Sequence, residues 1–332
     1  MNLTDRATIS IIIPTRNRVD SLLRALHSVT NQTRKPKEII IVDSSDVPLN
    51  CDLFGTNLKL LDIQIYHTHP SVCYQRNFGI QKSTSDYTLL LDDDIELSEN
   101  YVEILLNHLE ANETETLCSG LILENRKGAW TYCEEKKSLL GIYMAAVFGL
   151  SVGFDCYESK FSNHFMSKWI IDTFKKNGNS LSRAGWPIMI DYRGTFFRTP
   201  IYSLGAAIIR TEKLKNVQFD QAFYENGVGE NYDLLMSLDQ KVGIISTATA
   251  FHYKEKSNRL KVEQSYYYRI AALHYILLKH KRFTFINLLY LIWSLIGNSI
   301  LFLGKGKIKM LGYNFEVIAR IIFNAPLYKS KK

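Results

Sequence analysis

No two of the five cysteines stand in a CxxC pair. Cys51, Cys73, Cys118, Cys133 and Cys156 are odd in number and scattered, which gives neither a disulfide framework nor a zinc site. A reducing compartment fits such a chain best. Met1 to Thr8 is polar, includes Asp5 and Arg6, and lacks the apolar core of a cleavable signal peptide, so none is expected. There is no internal repeat and no low-complexity tract. The basic residues are dispersed, which argues against a nucleic-acid-binding protein. They nevertheless outnumber the acids, 40 to 33, and the net charge of +7 favours anionic partners such as nucleotides or phospholipid headgroups without choosing among them. At 332 residues, with 46% hydrophobic and 22% charged residues, the chain can bury a substantial core. It is long enough for one large α/β domain with appendages or for two modest domains.

Charge is also missing from Phe285 to Leu303, which is mostly Leu, Ile, Phe, Tyr and Trp. Its length approaches the roughly 20 residues needed to cross a bilayer. Lys279, Lys281 and Arg282 precede it, and Lys305, Lys307 and Lys309 follow it. Basic residues on both flanks lack the asymmetry of a simple span. A helix lying in the membrane interface is a second reading, and a buried core or dimer helix a third. No multi-span bundle accompanies it, so a processive synthase that exports its own polymer is not expected.

The hydrophobic pattern predicts strands alternating with helices. Ile9 to Ile13 is a β-branched run ended by Pro14. A helix capped by Asn17 or Asp20 follows, with Leu22, Leu23, Leu26 and Val29 on its apolar face. Ile39 to Val42, Ile63 to Tyr66 and Tyr87 to Leu91 read as strands; Val72 to Lys82 and Tyr101 to Leu109 read as helices. The alternation implies a doubly wound, mostly parallel sheet. It fails between about Glu124 and Arg198, which reads as an insertion containing a helix near Phe165 to Lys175. Ala206 to Ile209 and Val242 to Ser246 return to strand character, and from Val262 the chain is helical and increasingly apolar.

The most informative stretch is Leu89-Leu90-Leu91-Asp92-Asp93-Asp94, an apolar strand closing on three carboxylates. Like charges at this spacing call for a cation. Oxygen ligands just past the carboxyl end of a strand suit Mg²⁺ or Mn²⁺ and a phosphate-bearing ligand. The alternative is a solvated acidic turn in which Asp94 to Ser98 caps the next helix.

Six motifs in order resemble family 2 glycosyltransferases. They are Ile11-Ile12-Ile13-Pro14-Thr15-Arg16-Asn17-Arg18; Gln32-Thr33 with Pro36 and Glu38 to Ser45; Arg76-Asn77-Phe78-Gly79-Ile80; the triple Asp; Ser203-Leu204-Gly205-Ala206-Ala207 with Arg210; and Phe219-Asp220 with Gly229-Glu230-Asn231-Tyr232-Asp233-Leu234. Each alone is weakly specific, and their order is what carries the resemblance. It implies a GT-A-type doubly wound, mostly parallel sheet over 1–259, with the insertion at about 124–198; beyond it, the uncharged apolar run makes 260–332 a C-terminal apolar helical, membrane-associating tail. The resemblance implies transfer from a nucleotide-diphospho-sugar with inversion. Pro14, Thr15 and Asn17 or Arg18 would line the base pocket, and Asp43 would bond the nucleobase. Arg76 would face ribose or pyrophosphate, Asp92 and Asp93 would hold ribose, and Asp94 would ligate the metal. His252 would add a metal or diphosphate contact, and Arg259 a phosphate clamp. Each has a plainer reading: a strand-end turn for Asp43, a surface helix position for Arg76, a structural imidazole for His252.

The family pattern Gly-Glu-Asp-x-Asp/Glu is altered here, because Asn231 replaces the Asp expected to act as general base. Glu230 or Asp233 could take that role, the latter about 200° round the helix from Asn231 at roughly 100° per residue. An Arg frequent in the family near position 237 is also absent, where Ser237 stands. The leading expectation is a metal-dependent, hexosyltransferase-type enzyme of surface polysaccharide synthesis. It would act on a glycan or lipid-linked acceptor at the cytoplasmic face of the cell membrane, or peripherally in the cytoplasm. The alternative is a catalytically silent sugar-nucleotide-binding scaffold protein. A nucleotidyltransferase is disfavoured by the Arg76 helix and the Glu230 region.

Overall fold

The structure is a computed structural model that describes residues 7–50, 61–126, 128–132, 138–153, 165–223, 227–255 and 260–329. Cys51, Cys133, Cys156 and the expected clamp Arg259 lie outside the described residues. The chain divides into two compact units. One comprises Met1–Tyr132, Gly194–Phe196 and Tyr202–Arg259; the other comprises Cys133–Arg193, Phe197–Ile201 and Leu260–Lys332.

The elements run β1 (Ile9–Thr15), α1 (Val19–Thr30), β2 (Glu38–Asp43), β3 (Ile63–His67), α2 (Val72–Lys82), β4 (Tyr87–Leu91), β5 (Ile95–Leu97), α3 (Tyr101–Ala111), β6 (Leu117–Arg126) and β7 (Ala129–Thr131). They continue with α4 (Leu139–Phe148), β8 (Val152–Gly153), α5 (Phe165–Asn177), β9 (Ser180–Leu181), β10 (Pro187–Met189) and β11 (Phe196–Thr199). The last are β12 (Ala206–Arg210), α6 (Thr211–Asn216), α7 (Glu230–Leu238), β13 (Val242–His252), α8 (Val262–Lys279), α9 (Phe285–Gly304) and α10 (Ile308–Ile322).

In the first unit the strand order is β13-β6-β12-β4-β1-β2-β3. β1 pairs parallel with β2 and β4, β2 with β3, and β13 with β6, whereas β12 runs antiparallel between β4 and β6. The sheet is therefore doubly wound and mostly parallel. Every residue of β1, β2 and β4 is buried, as expected where helices cover both faces. α1 buries Leu22, Leu26 and Val29 in the main core. α2 packs on β1 through Gly79, where an added Cβ would come within 2.5 Å of Ile12 Cγ2.

Four local expectations change. Pro14 does not stop β1: the strand continues to Thr15, pairing Pro14 with Val42 and Thr15 with Asp43. The ladder to β4 ends at Ile12↔Leu90, so β1 outruns it and one flank of Pro14 needs no N–H donor. Neither Asn17 nor Asp20 caps α1. Arg18 is its N-cap without a side-chain cap bond, and Asn17 turns the chain at φ 53°. The stretch after Asp94 is strand β5, not cap material, and it pairs with the end of β13. β13 itself runs on to His252, so that histidine lies on the strand rather than beyond it.

In the second unit, β8, β10 and β9 form a small sheet. α4 and α5 close a core on Ile142, Ala145, Ile170, Ile171 and Ile190. α9 is tied into this unit by Trp186 Nε1 donating to Ser294 Oγ at 2.9 Å and by Asn314 Nδ2 donating to the Leu295 carbonyl at 3.2 Å.

Candidate active site

Three parallel strands end side by side at Thr15, Asp43 and Leu91, the edge at which open α/β sheets take ligands. Gln75 of α2 gathers two of them: its Nε2 donates to the carbonyls of Thr15 at 3.0 Å and Val42 at 2.7 Å. The buried side of α2 is unusual, because Gln75, Arg76 and Asn77 are all buried polar residues. Asn77 exchanges two hydrogen bonds of 2.8 Å with the backbone of Phe219. Amphipathic patterning did not single out Gln75, and Asn77 entered only as part of the Arg76 to Ile80 motif; the signal available for Gln75 was three successive polar residues beside the close-packing Gly79.

The triple Asp fans out to four side chains, Arg18 facing both Asp93 and Asp94. Asp92 Oδ1 accepts from Arg76 Nη2 at 2.7 Å. Asp93 accepts from Thr15 Oγ1 at 2.8 Å and from Arg18 Nη1 at 3.1 Å. Asp94 Oδ1 lies 3.3 Å from His252 Nε2, and its Oδ2 lies 3.8 Å from Arg18 Nη1. The chain's own cations therefore meet much of the charge. Burial still pushes the Asp93 carboxyl up to about 6, against the opposing pull of Arg18 and Thr15. Glycine at 205 is required by this fan, since a Cβ there would fall 2.1 Å from Asp92 Oδ2.

Arg76 is the hub. It is only 3% exposed, and besides Asp92 its Nη1 donates to Glu230 Oε1 at 2.8 Å and reaches Asn231 Oδ1 at 3.4 Å. Its guanidinium also lies over the Phe219 ring, 5.2 Å from the centroid. Burial alone would lower the Arg76 pKa, but Asp92 and Glu230 outweigh it and hold the group protonated. Burial pushes the Glu230 carboxyl up, with Arg76 opposing. Glu230 opens α7 behind Gly229, whose φ of 109° glycine adopts without strain. The helix N-terminus adds a favourable field for Glu230 and for Asp233, which is 1% exposed in the same first turn. Removing one partner of a buried ion pair costs about 3–5 kcal/mol. Arg76→Met is thus expected to lower the Tm clearly, and Arg76→Met/Glu230→Gln to recover part of the loss. Equal melting of wild type and Arg76→Met would show that the hub contributes nothing to stability.

Asp43 is fully buried and occupied by its own turn. Its Oδ1 accepts from the Ser45 N–H at 2.9 Å and its Oδ2 from the Leu49 N–H at 2.9 Å, with His67 Nδ1 at 3.2 Å. Pro14 is buried beside Thr15, and Asn17 is exposed, its side chain paired with Asp46. An open cleft of about 630 Å³ is lined by Asn17, Arg18, Arg24, Ser45, Val47 and Glu255 among others.

Asp94 and His252, 3.3 Å apart, are the pair that could hold a divalent ion. Among the described residues no group of three or more His, Cys, Asp or Glu converges on one point. One carboxylate and one imidazole fit a site that draws its remaining ligands from phosphate oxygens and water. Glu124, which sequence reading did not single out, lies 3.9 Å from His252 Nδ1, so the imidazole stands between two carboxylates. Lys254 Nζ is 2.6 Å from Glu124 and holds its pKa down despite partial burial.

Residues 10–132 match the family described as Glycosyl transferase family 2. An uncharacterized glycosyltransferase of Rickettsia bellii is 32% identical over 107 residues, 32% of this chain and 16% of that protein. The GalNAc(5)-diNAcBac-PP-undecaprenol beta-1,3-glucosyltransferase of Campylobacter jejuni is 32% identical over 126 residues, 36% of this chain and 40% of that one. The chain thus spans less than half the length of these relatives. A crystal structure of GalNAc-T7 with UDP, GalNAc and Mn2+ shares the fold, with a TM-score of 0.55 at 14% identity over 81% of this chain and 48% of that one.

Proposed function

We propose, for a chain that is a family 2 glycosyltransferase over residues 10–132, that it moves one sugar from a nucleotide-diphospho-sugar to a glycan or lipid-linked acceptor with inversion. The observation that carries this reading is Arg76, one guanidinium bonded both to Asp92 of the triple Asp and to Glu230 of α7. It ties the donor side of such a site to the residue that would serve the acceptor.

In this reading Pro14, Thr15, Asn17 and Arg18 line the nucleotide pocket, and Asp43, its carboxylate bonded within its own turn, shapes the loop beside it. Arg76, Asp92 and Asp93 position ribose and diphosphate. Asp94 and His252 would hold Mg²⁺ or Mn²⁺, which would supply positive charge to the departing diphosphate. The GalNAc-T7 structure, which contains Mn2+ with UDP, supports a divalent ion in this fold. Glu230 is the base: Arg76 holds its Oε1, leaving Oε2 to accept the proton of the acceptor hydroxyl. The acceptor's hydroxyl oxygen forms its bond to the anomeric carbon as the bond to the diphosphate oxygen breaks, and the nucleoside diphosphate leaves with the electron pair. Asp233 is the weaker candidate, because Arg76 engages Glu230 and Asn231 of the same turn. The Campylobacter relative, named for an undecaprenol-linked acceptor, supports a lipid-linked acceptor; surface polysaccharide synthesis at the cytoplasmic face of the membrane is the setting this reading gives it.

A second reading, a silent sugar-nucleotide-binding scaffold, draws on Asn231 at the family's usual base position. The test is product analysis after incubation with donor, divalent ion and a lipid-linked acceptor fraction. A new glycosidic bond of anomeric configuration opposite to the donor's is expected. Retained configuration would overturn the single displacement, and binding without product would favour the scaffold.

A further inference from the structure

We propose that the second unit binds an anionic phospholipid surface monotopically, with α9 lying in the plane of the interface beside α4 and not crossing the bilayer. This deepens the membrane part of the reading above and is independent of the transfer chemistry.

The outer face of α9 is a continuous apolar stripe. Phe285, Leu289, Trp293, Ile296, Ile300 and Leu303 are each at least 40% exposed. At roughly 100° per residue they fall within an arc of about 80°. The stripe continues onto α4. Trp293 Nε1 donates to the Val147 carbonyl at 2.9 Å, and its ring stacks on Phe148 at 4.7 Å. The Val147 side chain is itself 60% exposed. A contiguous exposed apolar surface of this kind marks an interaction site.

Length does not decide between lying and spanning. The 20 residues of α9 rise about 30 Å, which equals the hydrocarbon thickness. The inner face decides. Leu288, Leu291, Ser294, Leu295 and Gly297 are buried in the unit. Polar groups are fastened to that side: Asn287 Nδ2 donates to the Arg183 carbonyl at 2.8 Å, and Arg183 Nη1 donates to Tyr290 Oη. Trp186 and Asn314 bond Ser294 and the Leu295 carbonyl as described above. A crossing helix would carry these partners into hydrocarbon. A flat one leaves them on the water side.

Charge identifies the occupant. From Gln264 to Phe315 there is no Asp or Glu. Exposed lysines stand at both ends of α9, Lys281 before it and Lys305, Lys307 and Lys309 after it. Cations at both ends match a helix whose two ends meet the same layer of anionic headgroups. A second copy of this chain would bring equally basic ends together.

The test uses the full chain. With vesicles of phosphatidylcholine and phosphatidylglycerol, co-sedimentation is expected to exceed that with pure phosphatidylcholine by at least tenfold and to fall in high salt. Leu289→Asp/Ile300→Asp should lose at least tenfold of the binding with an unchanged melting curve, since both residues are exposed. In sealed membranes, Lys281→Cys and Lys307→Cys, scored against wild-type labelling, should both react with a membrane-impermeant maleimide from the same side. Protection of one thiol until the membrane is permeabilised would establish a span and overturn the proposal. So would failure to bind either vesicle, or a stable dimer that hides α9. Because none of these readouts uses turnover, they fail or succeed separately from the glycosyltransferase reading.

Discussion

Glu230→Gln is expected to lower kcat by roughly 10²–10⁴-fold, the usual contribution of a positioned general base, while donor affinity stays within about twofold. The amide keeps the shape of the side chain, and its oxygen can still accept from Arg76 Nη1, which bonds Glu230 at 2.8 Å. What it removes is the ability to take a proton. The same variant tests the electrostatics. Burial raises the Glu230 pKa above its ordinary value, with Arg76 opposing. A base must be deprotonated to act, so wild-type turnover should rise with pH along a limb lying above the ordinary glutamate value of about 4.3. That limb should vanish in Glu230→Gln. Stability runs the other way. Because the folded-state pKa is raised, ionisation favours the unfolded chain, and the Glu230 contribution to stability falls as pH rises from the unfolded value through the folded one. Wild-type kcat in Glu230→Gln would remove Glu230 as the base and turn attention to Asp233.

Asp94→Ala is expected to abolish the metal dependence of donor binding and to lower kcat/KM by about 10³-fold or more, the scale of several kcal/mol of charge stabilisation. Asp94 is buried, 5% exposed, and its Oδ1 faces His252 Nε2 at 3.3 Å. Removing the carboxylate leaves the imidazole as the only member of the two-residue donor set. Calorimetric titration of donor with Mn²⁺ and with chelator reads the effect: wild type should differ between the two conditions, and Asp94→Ala should not. Normal turnover in Asp94→Ala would sink the metal assignment.

The elements that sequence reading located well are those whose signal is local. β4 ends at Leu91 because an apolar run meets three carboxylates, and α2 runs from Val72 to Lys82 as its pattern predicts. The motif residues Thr15, Arg18, Arg76, Asp92, Asp93, Asp94, Glu230 and His252 are far apart in sequence, yet the fold brings them together through successive contacts. What was not legible depends on partners distant in the chain. β5 has three residues and exists because β13 offers a ladder to it, with His252 opposite Ile95. That pairing places His252 beside Asp94, a neighbourhood that the family resemblance implies and no spacing rule announces. Likewise Gln75 binds the carbonyls of two strand ends, a role that exists only once β1 and β2 are aligned. The grouping of Cys133–Arg193 with Leu260–Lys332 in one unit is a long-range packing outcome with no local pattern. The triple Asp did point to a need for cations, but Arg18 and Arg76 supply part of it from other elements.

The most direct measurement is release of nucleoside diphosphate from a panel of nucleotide-sugars by the full chain, with Mg²⁺ or Mn²⁺ and with chelator. Slow release from one donor, present with the ion, lost with chelator and absent in Glu230→Gln, is the predicted result. No metal-dependent binding and no release with any donor would contradict a nucleotide-sugar site built on Asp94, Arg76 and Glu230.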